Sequence, residues 1–148
     1  MGVVTHRKGR HRSHPFIMKK QTSISLYADF FGAQYDLQSN KGQWNKLTGL
    51  KKCYFRPMWW STMVAWRFED SLELVPYSHH DGQVVIHLPA ITLHEAQRVK
   101  IYIDAHRVII NKHVYLIEMP FKEGWQINSW FGGKQPAPRE IKIKIENE

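Results

Sequence analysis

Few residues in this chain combine a type and a spacing that chemistry can use. His79, His80 and Asp81 form a run of three metal-capable side chains. The run leads into Gly82, and Asp-Gly supplies the positive φ of a tight hairpin turn. Zinc needs three or four ligands converging on a tetrahedron, and a turn does not promise that. No metal and no other cofactor is expected. His6, His11 and His14 would chelate only weakly, and His87, His106 and His113 lie on or beside predicted strands. Cys53 stands in K-K-C-Y-F. Flanking lysines would lower the pKa of an exposed thiol, but a lone cysteine among aromatics is usually a small buried hydrophobe. No G-x-S-x-G, H-E-x-x-H, P-loop or dinucleotide fingerprint occurs. Glu69, Glu73, Glu95, Glu118 and Glu123 offer candidates for a glycosidase-type carboxylate pair, yet 13 acids in 148 residues make a chance pair easy. On these grounds a non-enzyme is expected.

Binding features are stronger. Arg7, Lys8, Arg10 and Arg12 fall within the first 14 residues with no acid among them, half of the chain's net charge of +8. With His11 between them they read as a basic arm that contacts a partner or a polyanion. Against this stands the simpler reading of a solvated or packed tail, and packing is favoured. The second feature is aromatic: 6 Trp, 6 Tyr and 7 Phe. Trp44, Trp125 and Trp130 sit near predicted loops. Trp59 and Trp60 are adjacent, so on a strand they point to opposite faces. Exposed, these five tryptophans would stack on sugar rings or on a partner surface. Any single Trp is more often core.

The elements that must position these groups are strands. S-I-S-L-Y-A-D-F-F at 23–31 alternates with Ile24, Leu26, Ala28 and Phe30 on one face. S-T-M-V-A-W-R-F at 61–68 puts Thr62, Val64, Trp66 and Phe68 together. Segments 72–77, 83–88, 99–104, 107–110, 114–119, 125–131 and 141–145 follow the same logic, with Asn111-Lys112 as a two-residue turn. Thr92 to Gln97 could make one helical turn. Gly32–Gly42 is polar and turn-rich, and W-F-G-G-K-Q-P-A-P at 130–138 reads as a corner. Eight or nine short strands without a long helix predict an all-β antiparallel sandwich, jelly-roll-like, with an immunoglobulin-like sandwich second. The expected layout is a basic N-terminal arm at 1–14 and a single β-sandwich domain at 15–148.

Composition agrees. A chain of 148 residues with 43% apolar and 23% charged residues is globular in character. No apolar run could span a bilayer, and no apolar stretch follows the basic start as a secretory signal requires. Cys53 alone excludes an internal disulfide framework.

Three stretches carry a resemblance: R-K-G-R-H-R-S near the start, Y-D-L with Q-W-N-K-L-T-G at 35–49, and W-F-G-G-K-Q-P-A-P-R-E-I-K-I near the end. With them the chain resembles a group of small β-sandwich proteins encoded by tailed bacteriophages and related bacterial elements. The resemblance implies a phage-borne context and a β-sandwich of the jelly-roll kind, and no catalytic residues are carried over from it. It departs at 50–60, where Lys51, Lys52, Trp59 and Trp60 stand. The expected function is a non-enzymatic virion structural or accessory protein of a bacteriophage, assembling with itself or with other virion proteins. It would be made in the host cytoplasm and carried in the virion. A carbohydrate-binding module using exposed Trp and Tyr is the alternative, then a nucleic-acid-binding protein acting through the arm, and last a small glycan-cleaving enzyme.

Overall fold

A computed structural model describes residues 2–14, 19–31, 43–55, 59–68, 71–93, 98–131, 137 and 140–147. The strands are β1 (Gly2–His6), β2 (Ser13–His14), β3 (Lys20–Gln21), β4 (Ser23–Asp29), β5 (Asn45–Lys51), β6 (Trp60–Phe68) and β7 (Leu72–His80). They continue as β8 (Gln83–Ile86), β9 (Ile91–Leu93), β10 (Arg98–Asp104), β11 (Arg107–Ile110), β12 (His113–Leu116), β13 (Gly124–Ile127) and β14 (Ile141–Asn147). One sheet runs β12-β11-β10-β4-β14-β1-β2. The other runs β3-β13-β5-β6-β7-β8, with β9 also on β7. All pairings are antiparallel. The chain is the all-β sandwich that its periodicity predicts.

Alternation decides which face is buried. Ile24, Leu26, Ala28 and Phe30 point inward from β4 and its end, and Val99, Ile101 and Ile103 from β10 opposite them. Ile141 and Ile143 join them from β14. Val64 and Trp66 of β6 and Leu72 and Leu74 of β7 close the core from the second sheet. Trp66 lies at its centre, its ring 5.5 Å from Phe30 and 6.1 Å from Phe131. Each such fully buried side chain contributes about 1.5–3 kcal/mol relative to exposure.

The hairpins at 81–82 and 111–112 have the positive φ their sequences imply, 51° at Asp81, 84° at Gly82 and 53° at Asn111. One reading needs correction. His79 and His80 are not in the turn; β7 runs on through both, paired with Ser61 and Trp60. The Thr92 to Gln97 turn is replaced at its start by β9, and 94–97 lie outside the described residues, as do 32–42 and most of the 130–138 corner.

Residues 2–14 are built into the domain. β1 pairs along its length with β14, from Gly2 opposite Ile145 to His6 opposite Ile141, and β2 folds back on β1. The connecting loop turns at Gly9, whose φ of 75° suits glycine. It is held on both sides: Gly9 N–H donates to Ala137 O (2.8 Å), Ala137 N–H to Arg10 O (3.1 Å) and Phe131 N–H to His11 O (2.8 Å).

Candidate functional site

The second sheet turns its other face away from the core. On β6 this face carries Ser61, Met63, Ala65 and Arg67; on β7 it carries Glu73, Val75, Tyr77 and His79 directly opposite them. Its floor is small and closed, because Ser61, Met63, Ala65 and Val75 are fully buried. Gly49 of β5 lies in the row of Met63 and Tyr77. A Cβ there would sit 2.5 Å from Met63 Cβ.

β5 is irregular for a reason that matters. Its register on β6 shifts between Lys46 and Thr48. In a regular strand Lys46 and Gly49, three positions apart, would face opposite sides. The bulge places the extra residue, Leu47, in the core and puts Lys46 on the outward face with Gly49.

Lys46, Tyr77 and His79 meet there. Lys46 Nζ lies 4.9 Å from the Tyr77 ring centroid and donates to Trp44 O at 3.0 Å. The Tyr77 and His79 rings meet edge to face at 5.6 Å. His79 Nδ1 is 2.8 Å from Ser61 Oγ. Burial lowers the Lys46 ammonium from its usual value. Burial raises the Tyr77 phenol. Burial, then the Lys46 charge, then His80 push His79 below the ordinary histidine value. The result is a half-buried cation and a protonated phenol beside a neutral imidazole that is only 4% exposed, groups suited to proton transfer next to developing negative charge.

The surroundings are basic and aromatic. Arg67 lies over the Trp44 ring at 4.2 Å and pairs with Glu73 at 3.2 Å. Lys51 lies over Tyr54 at 5.8 Å, Tyr54 meets Trp125 edge-on at 5.1 Å, and Lys20 lies over Trp125 at 5.8 Å. Among the described residues Glu73 is the one outward carboxylate of this sheet's strands.

The tryptophans singled out by the sequence divide. Trp44 is buried beneath Arg67 on this face, and Trp125 is half-buried at its edge. Trp130 is 37% exposed and continues the face, because it bridges to Lys46. Trp59 and Trp60 do not join them. Trp59 Nε1 donates to Asp81 at 2.7 Å, and Trp60 packs on the core beside His80. Arg7, Lys8, Arg10 and Arg12 are exposed and His11 is half-buried against Trp130.

Other constellations are less suited to chemistry. Ser78 Oγ lies 2.7 Å from His80 Nε2 and 2.6 Å from His87 Nε2, but Ser78 is fully buried on the core side. His106 and Glu118 pair at 2.7 Å out in solvent. Of the carboxylate candidates, Glu73 is tied to Arg67, Glu118 to His106, Glu123 is exposed, and Glu69 and Glu95 lie outside the described residues. Cys53 is half-buried. No cluster of three metal-binding side chains occurs among the described residues. A cleft of about 580 Å³ opens between the sheets near Gln21, Thr48 and Gln126, with no acid among the described residues of its lining.

Sequence reasoning missed Lys46, Tyr77 and Ser61, and treated His79 only as a metal candidate. The i, i+2 spacing of Tyr77 and His79 was the available signal, once both are taken as strand. Lys46 gave none, because the bulge that aims it has no sequence signature.

No family model matches the chain. No curated protein matches it either. Among solved structures it is similar to the crystal structure of an alginate lyase from a Chlorella virus, with a TM-score of 0.54 and 12% identity over 98% of this chain and 81% of that one. At that identity the likeness is one of fold, and the fold is therefore one found in a viral protein. It corrects the expectation of a non-enzyme. That expectation rested on missing motifs, and the similar fold of that viral protein belongs to an enzyme.

Proposed function

We propose that the chain is a polysaccharide lyase acting on a uronic-acid polymer, alginate being the first to test, at the outward face centred on Lys46, Tyr77 and His79. The observation that carries this reading is their convergence on a basic, aromatic face. The alginate lyase neighbour adds a fold on which such chemistry runs.

The chemistry follows from the groups. A uronate carries its carboxylate at C5. β-Elimination removes the C5 proton, forms the C4–C5 double bond and breaks the bond from C4 to the glycosidic oxygen, which takes up a proton. Lys46 neutralises the carboxylate as charge develops on it. His79, kept neutral by burial and by Lys46, accepts the C5 proton on the nitrogen that Ser61 does not hold. Tyr77, kept protonated by burial, delivers the proton to the departing oxygen. The row of basic side chains attracts the polyanion, and Trp125 and Tyr54 offer rings on which sugars stack.

The test is incubation with alginate, polygalacturonate and a neutral glucan, following the ultraviolet absorbance of the new double bond. Absorbance should rise with a polyuronate and not with glucan. Tyr77→Phe should lower the rate about 10²–10⁴-fold, the usual contribution of a positioned proton-transfer group. New reducing ends without the absorbance would mean hydrolysis, and no product from any polyuronate would end the proposal.

A further inference from the structure

The basic loop at 7–12 is unused by the reaction above, yet it is not a loose tail. Backbone bonds to Phe131 and Ala137 fix its path. His6, fully buried, holds it from below through its Nδ1, 3.0 Å from His11 O. His11 Nδ1 lies 2.6 Å from Phe131 O, and its ring stacks on Trp130 at 5.0 Å and 12°. The loop and Trp130 border an open depression of about 750 Å³ whose charged lining is Arg7, Arg10 and Arg12, with no acid among the described residues.

Its position is the second observation. Arg12 stands opposite Trp130, and Trp130 opposite Lys46. Residues directly opposite in antiparallel pairing project to one side of the sheet. Arg12, Trp130 and Lys46 therefore form one row on the outward face, which continues to Ala65 and Val75. Adjacent pairs in such a row lie about 4.5–5.5 Å apart, so Arg12 is roughly 10 Å from Lys46 along it.

We propose that Arg7, Arg10, Arg12 and Trp130 form an accessory subsite for the same uronic-acid polymer. It would bind carboxylates of sugars lying beyond the one held at Lys46, with Trp130 stacking between. This rests on the proposed lyase reading for the identity of the polymer. Three arginines without an acid fit carboxylates. Continuity with the row through Lys46 favours a linear chain crossing both places over a separate partner. A single-stranded nucleic acid could also stack on Trp130, and the experiment separates it from the polyuronate.

The experiment uses the full chain. Equilibrium binding to polygalacturonate and alginate is measured by affinity electrophoresis, for wild type and for Arg7→Ala/Arg10→Ala/Arg12→Ala. Arg12→Gln and Trp130→Leu serve as milder variants, with thermal melts to verify folding. Kinetics on long polymer and on short oligouronates accompany the binding. Loss of affinity of roughly tenfold or more in the triple variant supports the subsite. In an active enzyme the accompanying sign is a raised KM on polymer, with kcat and short-substrate rates unchanged. If polyuronate binds through the arginines but no elimination occurs, the subsite stands and the lyase reading falls. If elimination is intact and the folded variants bind polymer as wild type does, the subsite falls alone. Tighter binding of a single-stranded oligonucleotide than of polyuronate, lost in the same variants, also overturns it.

Discussion

Trp130 and Lys46 exchange both backbone hydrogen bonds, Lys46 N–H to Trp130 O at 2.7 Å and Trp130 N–H to Lys46 O at 2.9 Å. Together with the bridge of Arg12 to Trp130, this pairing joins the basic N-terminal loop to the strand that bears the central cation. It makes one face from chain segments far apart in sequence. The bulge beside it at Leu47 is braced as well, since Ser129 Oγ donates to Leu47 O. The face thus depends on backbone irregularity that is itself hydrogen-bonded, an arrangement common where strands aim a functional side chain.

Lys46→Met keeps length and loses charge. It is expected to lower kcat/KM on polyuronate by about 10²–10³, as removal of a charge-stabilising group does. Lys46→Arg should recover part of the activity. Equal loss in both variants would point to packing against Tyr77, not charge, as the role of Lys46.

Gly49→Ala tests the close approach of β5 and β6. The added Cβ would meet Met63 Cβ at 2.5 Å, and the Thr62 carbonyl is nearer still. Neither belongs to a flexible side-chain end, so the strands must part. Overpacking of this kind costs about 1–3 kcal/mol. Chemical denaturation should show a lower midpoint at unchanged slope. An unchanged midpoint would mean that the two strands separate without cost.

The sandwich was legible because its core strands alternate cleanly. Ile24, Leu26, Ala28 and Phe30, and likewise Val99, Ile101 and Ile103, are buried as their period of two implies. The turns at Asp81-Gly82 and Asn111-Lys112 were legible by residue type. What escaped had no period to read. β1 and β2 hide in a segment whose charge dominates its pattern, and β3 is two residues long. β5 breaks its own alternation at the bulge, so N-K-L-T-G stood out as a motif but not as a strand. The site escaped for the same reason. Its members come from three strands, and only cross-strand register brings Lys46 to Tyr77 and His79.

Stability should fall on mild acidification. His79 and His87 both have folded-state pKa values below the ordinary one, first through burial, with Lys46 and His80 adding at His79 and His80 at His87. Between the unfolded value of about 6.5 and those lower folded values, the unfolded chain binds protons that the native one refuses. Stability therefore rises with pH across this window, is fully present above about 6.5, and is lost as pH falls through it. Melting temperatures taken from pH 7.5 down to 5 should decline, and His87→Gln should flatten the decline. His106, raised by its hydrogen bond to Glu118, acts in the opposite direction. The decisive background is therefore His106→Gln, in which a flat profile would contradict the neutral state assigned to both rings. The same depression places the acid limb of kcat/KM below 6.5 if His79 is the base.

Deleting residues 1–14 and neutralising the loop arginines should give opposite results. Deletion removes β1 and β2, breaks the pairing of β1 with β14 from Gly2 to His6 and withdraws the buried His6. It also uncovers an edge of β14, next to the buried Ile141 and Ile143. A domain whose whole stability is about 5–15 kcal/mol does not survive the loss of an internal strand. The truncated chain should be unfolded or aggregated by circular dichroism and gel filtration. Loss of assembly on deletion would then report folding and say nothing of an arm reaching to a neighbour. Arg7, Arg10 and Arg12 are exposed and make none of the ion pairs recorded among the described residues. Replacing each by Ala should shift stability by no more than about 0.5 kcal/mol. A deleted chain that folds and melts like the full one would show β1 to be dispensable. It would also restore the arm as a detachable element.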